Sequence, residues 1–247
     1  MLDRVISHYS AIRHGAVVSD YSPQQAITSK TIFNAGGEYL TVLLPPWHGG
    51  GAVYDRLIKR LVKNGSAVVS YKFHGQILSA DIQQVVDSFH YIQETIAADI
   101  NDLLRTGHYR HVDVIASSLG NVSLCLVANM FQEFNRVTMI VPGANLATCT
   151  WDGSRTKLIR KELEKQGITK HDLEDAWSSL APIHNLSGLK DSEVRVYMSK
   201  SDLIIPTRYQ MLLAVSLKAD IRSCSLEEST NGHVATIANF CIRGPIG

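Results

Sequence analysis

The stretch that decides the fold is Val112-Asp113-Val114-Ile115-Ala116-Ser117-Ser118-Leu119-Gly120. Its first half is an apolar run rich in β-branched residues, which is typical of a buried parallel strand. Residues 121–131 are again mostly apolar, over a length that suits a helix. The pattern therefore predicts a strand, a sharp turn that contains a serine, and a helix.

Two serines occupy this turn, and the sizes of their neighbours indicate which of them is exposed. A serine on a strained turn brings the strand and helix backbones close together, so only very small residues fit two positions before and after it. Around Ser118 those positions hold Ala116 and Gly120. Around Ser117 they hold an isoleucine and a leucine, which are too large. Ser118 is therefore the candidate nucleophile.

A glycine-rich loop follows an upstream strand. Tyr39–Leu44 is a continuous apolar run that ends at Pro45-Pro46, and prolines cannot continue a central strand. The next residues, Trp47-His48-Gly49-Gly50-Gly51, precede a predicted helix over residues 52–62. Glycines let backbone N–H groups turn outward without side chains in the way, and such donors stabilise an oxyanion. An ordinary flexible loop is the alternative that these residues leave open.

Two further polar residues follow strands in the second half of the chain. The alternating stretch Glu193–Ser199 predicts a strand, and Asp202 comes shortly after it. Residues 220–226 predict a last strand, and a polar loop then delivers His233 at the start of a short helix. Because ligands bind outside the carboxyl ends of strands in open α/β sheets, we expect Asp202 and His233 to reach the same edge as Ser118.

The order Ser118, Asp202, His233, taken with the serine turn and the glycine loop, resembles that of the α/β-hydrolase superfamily, in particular serine esterases and lipases with a small helical cap. The resemblance runs from about Tyr39 to the C-terminus. It implies that Ser118 attacks a carbonyl carbon and that His233 takes the proton and later passes it on. Asp202 would orient the imidazole. One departure is Ala116, which stands where the superfamily usually has glycine.

The resemblance also implies an oxyanion hole made by the backbone N–H groups of Gly50 and Leu119. The implied activity is that of a cofactor-free serine hydrolase, which cleaves a carboxylic ester, thioester or amide of a small-molecule acyl substrate through an acyl-enzyme on Ser118. Two alternatives stay open, because a fold does not determine a function. One is acyl transfer or C–C bond hydrolysis on the same residues, and the other is a hydrolase-fold protein that binds a ligand without turnover.

Other carboxylates compete with Asp202 for the role of the acid. Asp152 lies where a minority of the superfamily place it, and Glu227 and Glu228 precede the histidine loop. We prefer Asp202 because it follows a clear strand pattern. It also opens the segment Asp202-Leu203-Ile204-Ile205-Pro206, which resembles the acid turn of the superfamily.

The rest of the chain alternates strands with helices, which implies a mostly parallel central sheet with helices on both faces, the α/β-hydrolase fold. We expect a single domain over residues 1–247, with a cap insertion at about 143–190. The other predicted elements are weak strands near Ala16-Val17-Val18 and Thr31-Ile32-Phe33, strands at 67–71 and 137–141, and a long helix at 81–104.

The insertion is predicted to be helical. Residues 157–165 form a charged pattern typical of a solvated helix, and Thr169 is the predicted N-cap of a second helix. The apolar face of the cap either contacts an acyl chain or packs the cap onto the core, and packing is the more frequent role for any one residue. The apolar residues in question are Trp151, Leu173, Trp177 and Leu180.

Composition narrows the partners. The 247 residues carry a net charge of +1 at pH 7, which gives no electrostatic reason to expect nucleic acid or an anionic membrane surface. No stretch is long enough to span a bilayer, and the first residues lack the apolar run of a signal peptide. Four cysteines without paired spacing predict free thiols and a cytoplasmic location. They are Cys125, Cys149, Cys224 and Cys241.

Neither a nucleotide nor a metal cofactor is expected from the motifs. The chain has no glycine-rich phosphate loop followed by Lys-Ser or Lys-Thr. The pair His108 and His111 is spaced like metal ligands, but it lies in a predicted turn without helix or carboxylate support.

Overall fold

The computed structural model describes residues 21–107 and 109–244, so the strand predicted near Ala16-Val17-Val18 and the side chain of His108 lie outside the described residues. The strands are β1 (Ile27–Phe33), β2 (Tyr39–Leu44), β3 (Ser66–Phe73), β4 (Val112–Ser117), β5 (Arg136–Ile140), β6 (Glu193–Ser199) and β7 (Ser223–Ser229). The α-helices within the described ranges are α1 (Gly51–Lys63), α2 (Ile82–Thr106), α3 (Gly120–Met130), α4 (Leu146–Asp152), α5 (Lys157–Lys165), α6 (Lys170–Ala176), α7 (Thr207–Asp220) and α8 (His233–Arg243).

The strands form one seven-stranded sheet in the order β1-β3-β2-β4-β5-β6-β7. Strand β1 runs antiparallel to β3, and all other neighbours are parallel. Leu44 pairs with Ala116, and Ser117 pairs with Ile140, so the carboxyl ends of β2, β4 and β5 lie together. The mostly parallel sheet predicted from the alternating pattern is confirmed.

Each face of the sheet is covered by helices. Alternate residues of the buried strands point to opposite sides, and because both sets are apolar, both faces must be buried. Val42 and Leu44 pack in a core with apolar residues of α2, α3 and α7. Leu43, between them, packs in a second core with residues of α1 and α8. The continuous apolar pattern of the central strands reflects this two-sided burial.

The predicted last strand begins too early. The sequence pattern places residues 220–222 in it, but α7 continues to Asp220 and the strand starts at Ser223. The N–H of Ile221 donates to the carbonyl of Leu217 at 2.8 Å, which completes the last helical turn. Local apolar pattern does not distinguish that turn from the start of a strand.

The segment between β5 and β6 is helical, as predicted. Thr169 accepts a hydrogen bond from the backbone N–H of Asp172 and caps α6. Leu173, Trp177 and Leu180 are fully buried in the main core, and the indole N–H of Trp177 donates to the carbonyl of Ile82. For these three residues, packing onto the core is the alternative that the structure bears out. Three short 3-10 turns complete the segment, at Ser178–Leu180, Pro182–His184 and Ser187–Leu189.

No helix in the part of the chain that the structure describes is long and apolar enough to cross a membrane. All four cysteines are free thiols, and Cys125, Cys149 and Cys241 are buried.

Candidate active site

Ser118 lies on a strained turn between β4 and α3. Its φ angle is +52°, in the left-handed region that costs a residue other than glycine about 1–3 kcal/mol. The backbone N–H of Ser118 donates to the carbonyl of Ile140 at 2.9 Å. The Asn121 side chain donates to the carbonyls of both Ser118 and Ile140, each at 3.0 Å. These hydrogen bonds hold the turn in its strained conformation.

The small residues around Ser118 are explained by a close backbone crossing. A Cβ atom on Gly120 would lie 2.3 Å from the carbonyl oxygen of Leu44 and 2.7 Å from that of Pro45. Ala116 is fully buried and pairs with Leu44 in the sheet. Glycine is therefore required two positions after Ser118, whereas the extra methyl group of Ala116, two positions before it, is accommodated.

Ser117 points into the protein. Its side chain is fully buried, and its hydroxyl group is hydrogen-bonded to that of Tyr54. Ser118, by contrast, lines an open cleft. The two adjacent serines thus have different environments, in agreement with the prediction from their neighbours that Ser118 is the exposed one.

The predicted residues Ser118, His233 and Asp202 are brought together. The Nε2 atom of His233 lies 3.1 Å from the Oγ of Ser118, and its Nδ1 atom lies 2.7 Å from the Oδ2 of Asp202. His233 is the first residue of α8. The loop before it is tied to the end of β6, because the hydroxyl of Ser199 donates to the carbonyl of Asn231. The arrangement forms a continuous hydrogen-bonded chain from a hydroxyl to a carboxylate.

Asp202 is held as an acceptor by four donors. Its Oδ1 accepts the backbone N–H groups of Ile204 at 2.8 Å and Ile205 at 2.9 Å. Its Oδ2 accepts the Nε2 of Gln210 at 2.9 Å, in addition to His233. The Asp202 side chain is completely buried. Four hydrogen bonds compensate the lost hydration of a carboxylate in this position.

The rival acids have other partners. The Oδ2 of Asp152 is paired with Lys170, Arg208 and the Tyr209 hydroxyl. Burial alone would raise the pKa of the Asp152 carboxyl, but the hydrogen bonds from Tyr209, Lys170 and Arg208 outweigh it and hold that pKa below its usual range.

The other two rivals, Glu227 and Glu228, lie on the edge strand β7, and Glu228 forms an ion pair with Lys200 at 2.6 Å. Of the four carboxylates weighed, Asp202 is the one hydrogen-bonded to His233.

The glycine loop borders the same cleft. Gly49 and Gly51 have φ angles of +79° and +53°, in the left-handed region that favours glycine, and His48 has a φ angle of +69°. A Cβ on Gly50 would lie 1.7 Å from the ring of Tyr54. Gly50 and Leu119, the two predicted oxyanion donors, both line the cleft together with Ser118.

The cleft has a volume of about 400 Å³ and a mostly apolar lining. Leu146, Cys149 and Leu158 contribute from the segment between β5 and β6, Ile205 from the residues after β6, and Ile237 from α8. Trp151, for which the sequence leaves an acyl contact open, instead packs against the main core. A cleft of this size suits a small ligand with an apolar portion.

Cys149 is another potential nucleophile in the cleft, but its chemistry is unfavourable. Burial raises the pKa of its thiol to about 12, so the thiolate is scarce at neutral pH. Within residues 21–107 and 109–244, no three His, Cys, Asp or Glu side chains are grouped as metal ligands would be.

The sequence does not indicate that three further residues belong to the site. Gln210 is a fully buried polar residue in an otherwise apolar stretch of α7, and only the fold brings it to its partner Asp202. Tyr54 and Asn121 likewise look like ordinary helix residues. A helical pattern shows that a face is buried, but it does not show which distant group a polar side chain meets.

Comparison with known proteins yields structural likeness alone. No protein-family model matches the sequence, and no curated protein matches it either. The structure of Est1E from Butyrivibrio proteoclasticus with bound ferulic acid is similar, with a TM-score of 0.62 and 11% identity over 87% of this chain and 92% of that one.

The esterase Pf2001 of Pyrococcus furiosus is also similar, with a TM-score of 0.61 and 15% identity over 91% of this chain and 90% of that one. An acylaminoacyl peptidase of Pyrococcus horikoshii has a TM-score of 0.62 and 12% identity, over 85% of this chain and 34% of that one. At such identities the likeness concerns the fold. The chain has the α/β-hydrolase fold, as the sequence resemblance implied.

Proposed function

We propose that this protein is a serine hydrolase that cleaves a carboxylic ester, thioester or amide through an acyl-enzyme on Ser118. The observation that carries the proposal is the hydrogen-bonded chain Ser118–His233–Asp202 at the wall of an apolar cleft. A serine beside a histidine, which is itself oriented by a buried carboxylate, is the arrangement needed to activate a hydroxyl group.

In the first half of the reaction, the Oγ of Ser118 attacks the carbonyl carbon while the Nε2 of His233 takes its proton. The negative charge on the carbonyl oxygen is stabilised by the backbone N–H groups of Leu119 and Gly50. Leu119 precedes the first residue of α3, where N–H groups have no carbonyl partner within the helix. The bond to the leaving group then breaks, and His233 gives it the proton.

In the second half, a water molecule attacks the acyl carbon as His233 accepts one of its protons. The bond to Ser118 breaks, Ser118 recovers its proton, and the free acid is released. Asp202, fixed by Gln210 and two backbone N–H groups, stabilises the imidazolium that forms in each half.

The segment at residues 143–190 is proposed to be the cap of a single domain over residues 1–247. Leu146 and Leu158 of this segment line the cleft, which supports their contact with an apolar acyl portion of the substrate. Ester cleavage is the first activity to test, because the fold is shared with an esterase. Amide cleavage comes second, since an acylaminoacyl peptidase has the same fold.

The proposal is tested with a fluorophosphonate, which forms a stable adduct with an activated serine. Mass spectrometry of the digested protein should locate the adduct on Ser118 in the wild type and in Ser117→Ala, and should find none in Ser118→Ala. The adjacent serine is the matched control, because both substitutions remove one hydroxyl from the same turn.

Two further results would decide against the proposal. A wild-type protein that is folded but not labelled would favour a ligand-binding protein without turnover. Labelling at Ser118 together with acyl transfer to an added alcohol or amine, in the absence of net hydrolysis, would assign the same residues to a transferase.

A further inference from the structure

Tyr54 contacts both segments that carry the proposed oxyanion donors. It lies in the first turn of α1 and is 4% exposed. Its ring packs against Gly50, where a Cβ atom would be 1.7 Å away. Its hydroxyl group is hydrogen-bonded to Ser117, the residue immediately before Ser118. One rigid side chain therefore spans the distance from the glycine loop to the serine turn.

The chemistry of this contact suits a fixed spacer. A tyrosine ring has few rotatable bonds, and its buried hydroxyl needs a hydrogen-bond partner. Burial raises the pKa of Tyr54 far above its ordinary value, so the phenol stays neutral and the contact does not change with pH in the working range. Tyr54 also belongs to the hydrophobic core that contains Leu57 and Phe240.

We propose that Tyr54 is a positioning residue, which sets the spacing between the N–H groups of Gly50 and Leu119 through its contacts with Gly50 and Ser117. The inference rests on the proposed function, because it concerns donors to an oxyanion. Such donors must lie about 2.7–3.1 Å from the position that the oxyanion occupies, so a loop that moves relative to the turn loses stabilisation of the transition state.

The consequence is a loss in kcat with little change in KM. Tyr54→Phe keeps the ring and removes the link to Ser117, and Ser117→Ala removes the same link from the other side. Each should lower kcat by about tenfold, which is less than the 10²–10³-fold loss that follows deletion of a whole donor. Because both variants break one contact, the double variant should lose little more than either single variant.

The chain offers a matched control in a second tyrosine–serine pair. The hydroxyl of Tyr21 lies 2.9 Å from the Oγ of Ser88, and both residues are buried. Neither residue lines the cleft. Tyr21→Phe should therefore lower the melting temperature by an amount similar to Tyr54→Phe while kcat stays at the wild-type level.

The experiment measures kcat and KM of the full chain with p-nitrophenyl acetate for the three single variants and the Tyr54→Phe/Ser117→Ala double variant. It also measures the inhibition constant of a trifluoromethyl ketone, which forms a tetrahedral oxyanion with the serine. The expected result is that the inhibition constant rises by the same factor as kcat falls. Should Tyr54→Phe not fold, Ser117→Ala alone carries the test.

A kcat unchanged in Ser117→Ala, losses that multiply in the double variant, or an equal loss in Tyr21→Phe would each overturn the role of Tyr54. These outcomes differ from a failure of the proposed function, because that failure would be a wild-type protein without fluorophosphonate labelling at Ser118.

Discussion

The Nε2 of Gln210 lies 2.9 Å from the Oδ2 of Asp202, which is the same oxygen atom that faces the Nδ1 of His233. Gln210 is fully buried, and its Oε1 accepts the backbone N–H of Ser199 at 2.9 Å. The amide thus joins the end of β6 to the acid of the candidate site. It fixes the rotation of the Asp202 carboxylate and keeps one oxygen directed at the imidazole.

This contact predicts a pH-dependent defect in Gln210→Glu. A carboxylate introduced beside Asp202 repels it, but once protonated the new acid donates a hydrogen bond to the Oδ2 in place of the amide. The kcat/KM of the variant relative to the wild type should therefore rise as pH falls from 8 to about 5.5. Profiles with p-nitrophenyl acetate measure the ratio. A ratio that is constant with pH would contradict this role of Gln210.

Ser118 and His233 should act as one unit. Removal of either residue eliminates the activated hydroxyl, so Ser118→Ala and His233→Ala should each lower kcat by at least about 10³-fold. The double variant should then be no worse than either single variant. Steady-state kinetics with a p-nitrophenyl ester test this, and losses that multiply would show that the two residues act independently.

The assignment of the acid predicts different effects for two aspartates. Asp202→Asn should lower kcat by about 10³–10⁴-fold, because the amide favours the wrong tautomer of His233. Asp152→Asn should keep near wild-type kcat, as should Glu227→Gln and Glu228→Gln, with folding checked by circular dichroism. The reverse pattern, with the loss in Asp152→Asn, would move the acid to Asp152.

Asp152 should instead matter for stability. Its carboxyl has a pKa lowered by its folded-state partners, so the stabilisation is present above the pKa of the unfolded chain and is lost as pH falls through the folded-state value. The melting temperature of Asp152→Asn should lie below that of the wild type at pH 7, and the difference should shrink as pH falls below about 4. A difference independent of pH would argue against an ionic origin.

How far the sequence predicts the site depends on the kind of constraint. The close crossing at Gly120 is a local constraint, so the small residues Ala116 and Gly120 are enough to favour Ser118 over Ser117 as the exposed serine. Asp202 and His233 follow strands that end at one edge of the sheet, and topology alone brings them near Ser118. Both kinds of constraint leave a pattern in the sequence, which is either small residues at fixed spacing or polar residues that follow a strand.

Contacts between distant polar residues are not visible in this way. Gln210 and Tyr54 each lie on a helix whose pattern shows burial and nothing about the partner. The same limit applies to the apolar residues of the segment between β5 and β6. Trp177 and Leu158 both fit a helical pattern, but Trp177 is buried in the core, while Leu158 lines the cleft and is 59% exposed.

The backbone crossing at Gly120 gives a prediction about stability. In Gly120→Ala the new methyl group would meet the Leu44 carbonyl, and overpacking of this kind costs about 1–3 kcal/mol. Gly36→Ala is the matched control, because a Cβ atom there meets nothing within 4 Å. Thermal denaturation should show a lower melting temperature for Gly120→Ala only. Equal melting temperatures would mean that the crossing is not tight.

If Ser118 is the nucleophile, it carries the acyl group during turnover, and that group can be located on the protein. The wild-type protein is mixed with p-nitrophenyl acetate, quenched in acid and digested, and the acetylated peptide is sequenced by mass spectrometry. We expect acetyl on Ser118, together with an inactive Ser118→Ala. Acetyl on Ser117 or Cys149, or full activity in Ser118→Ala, would contradict it.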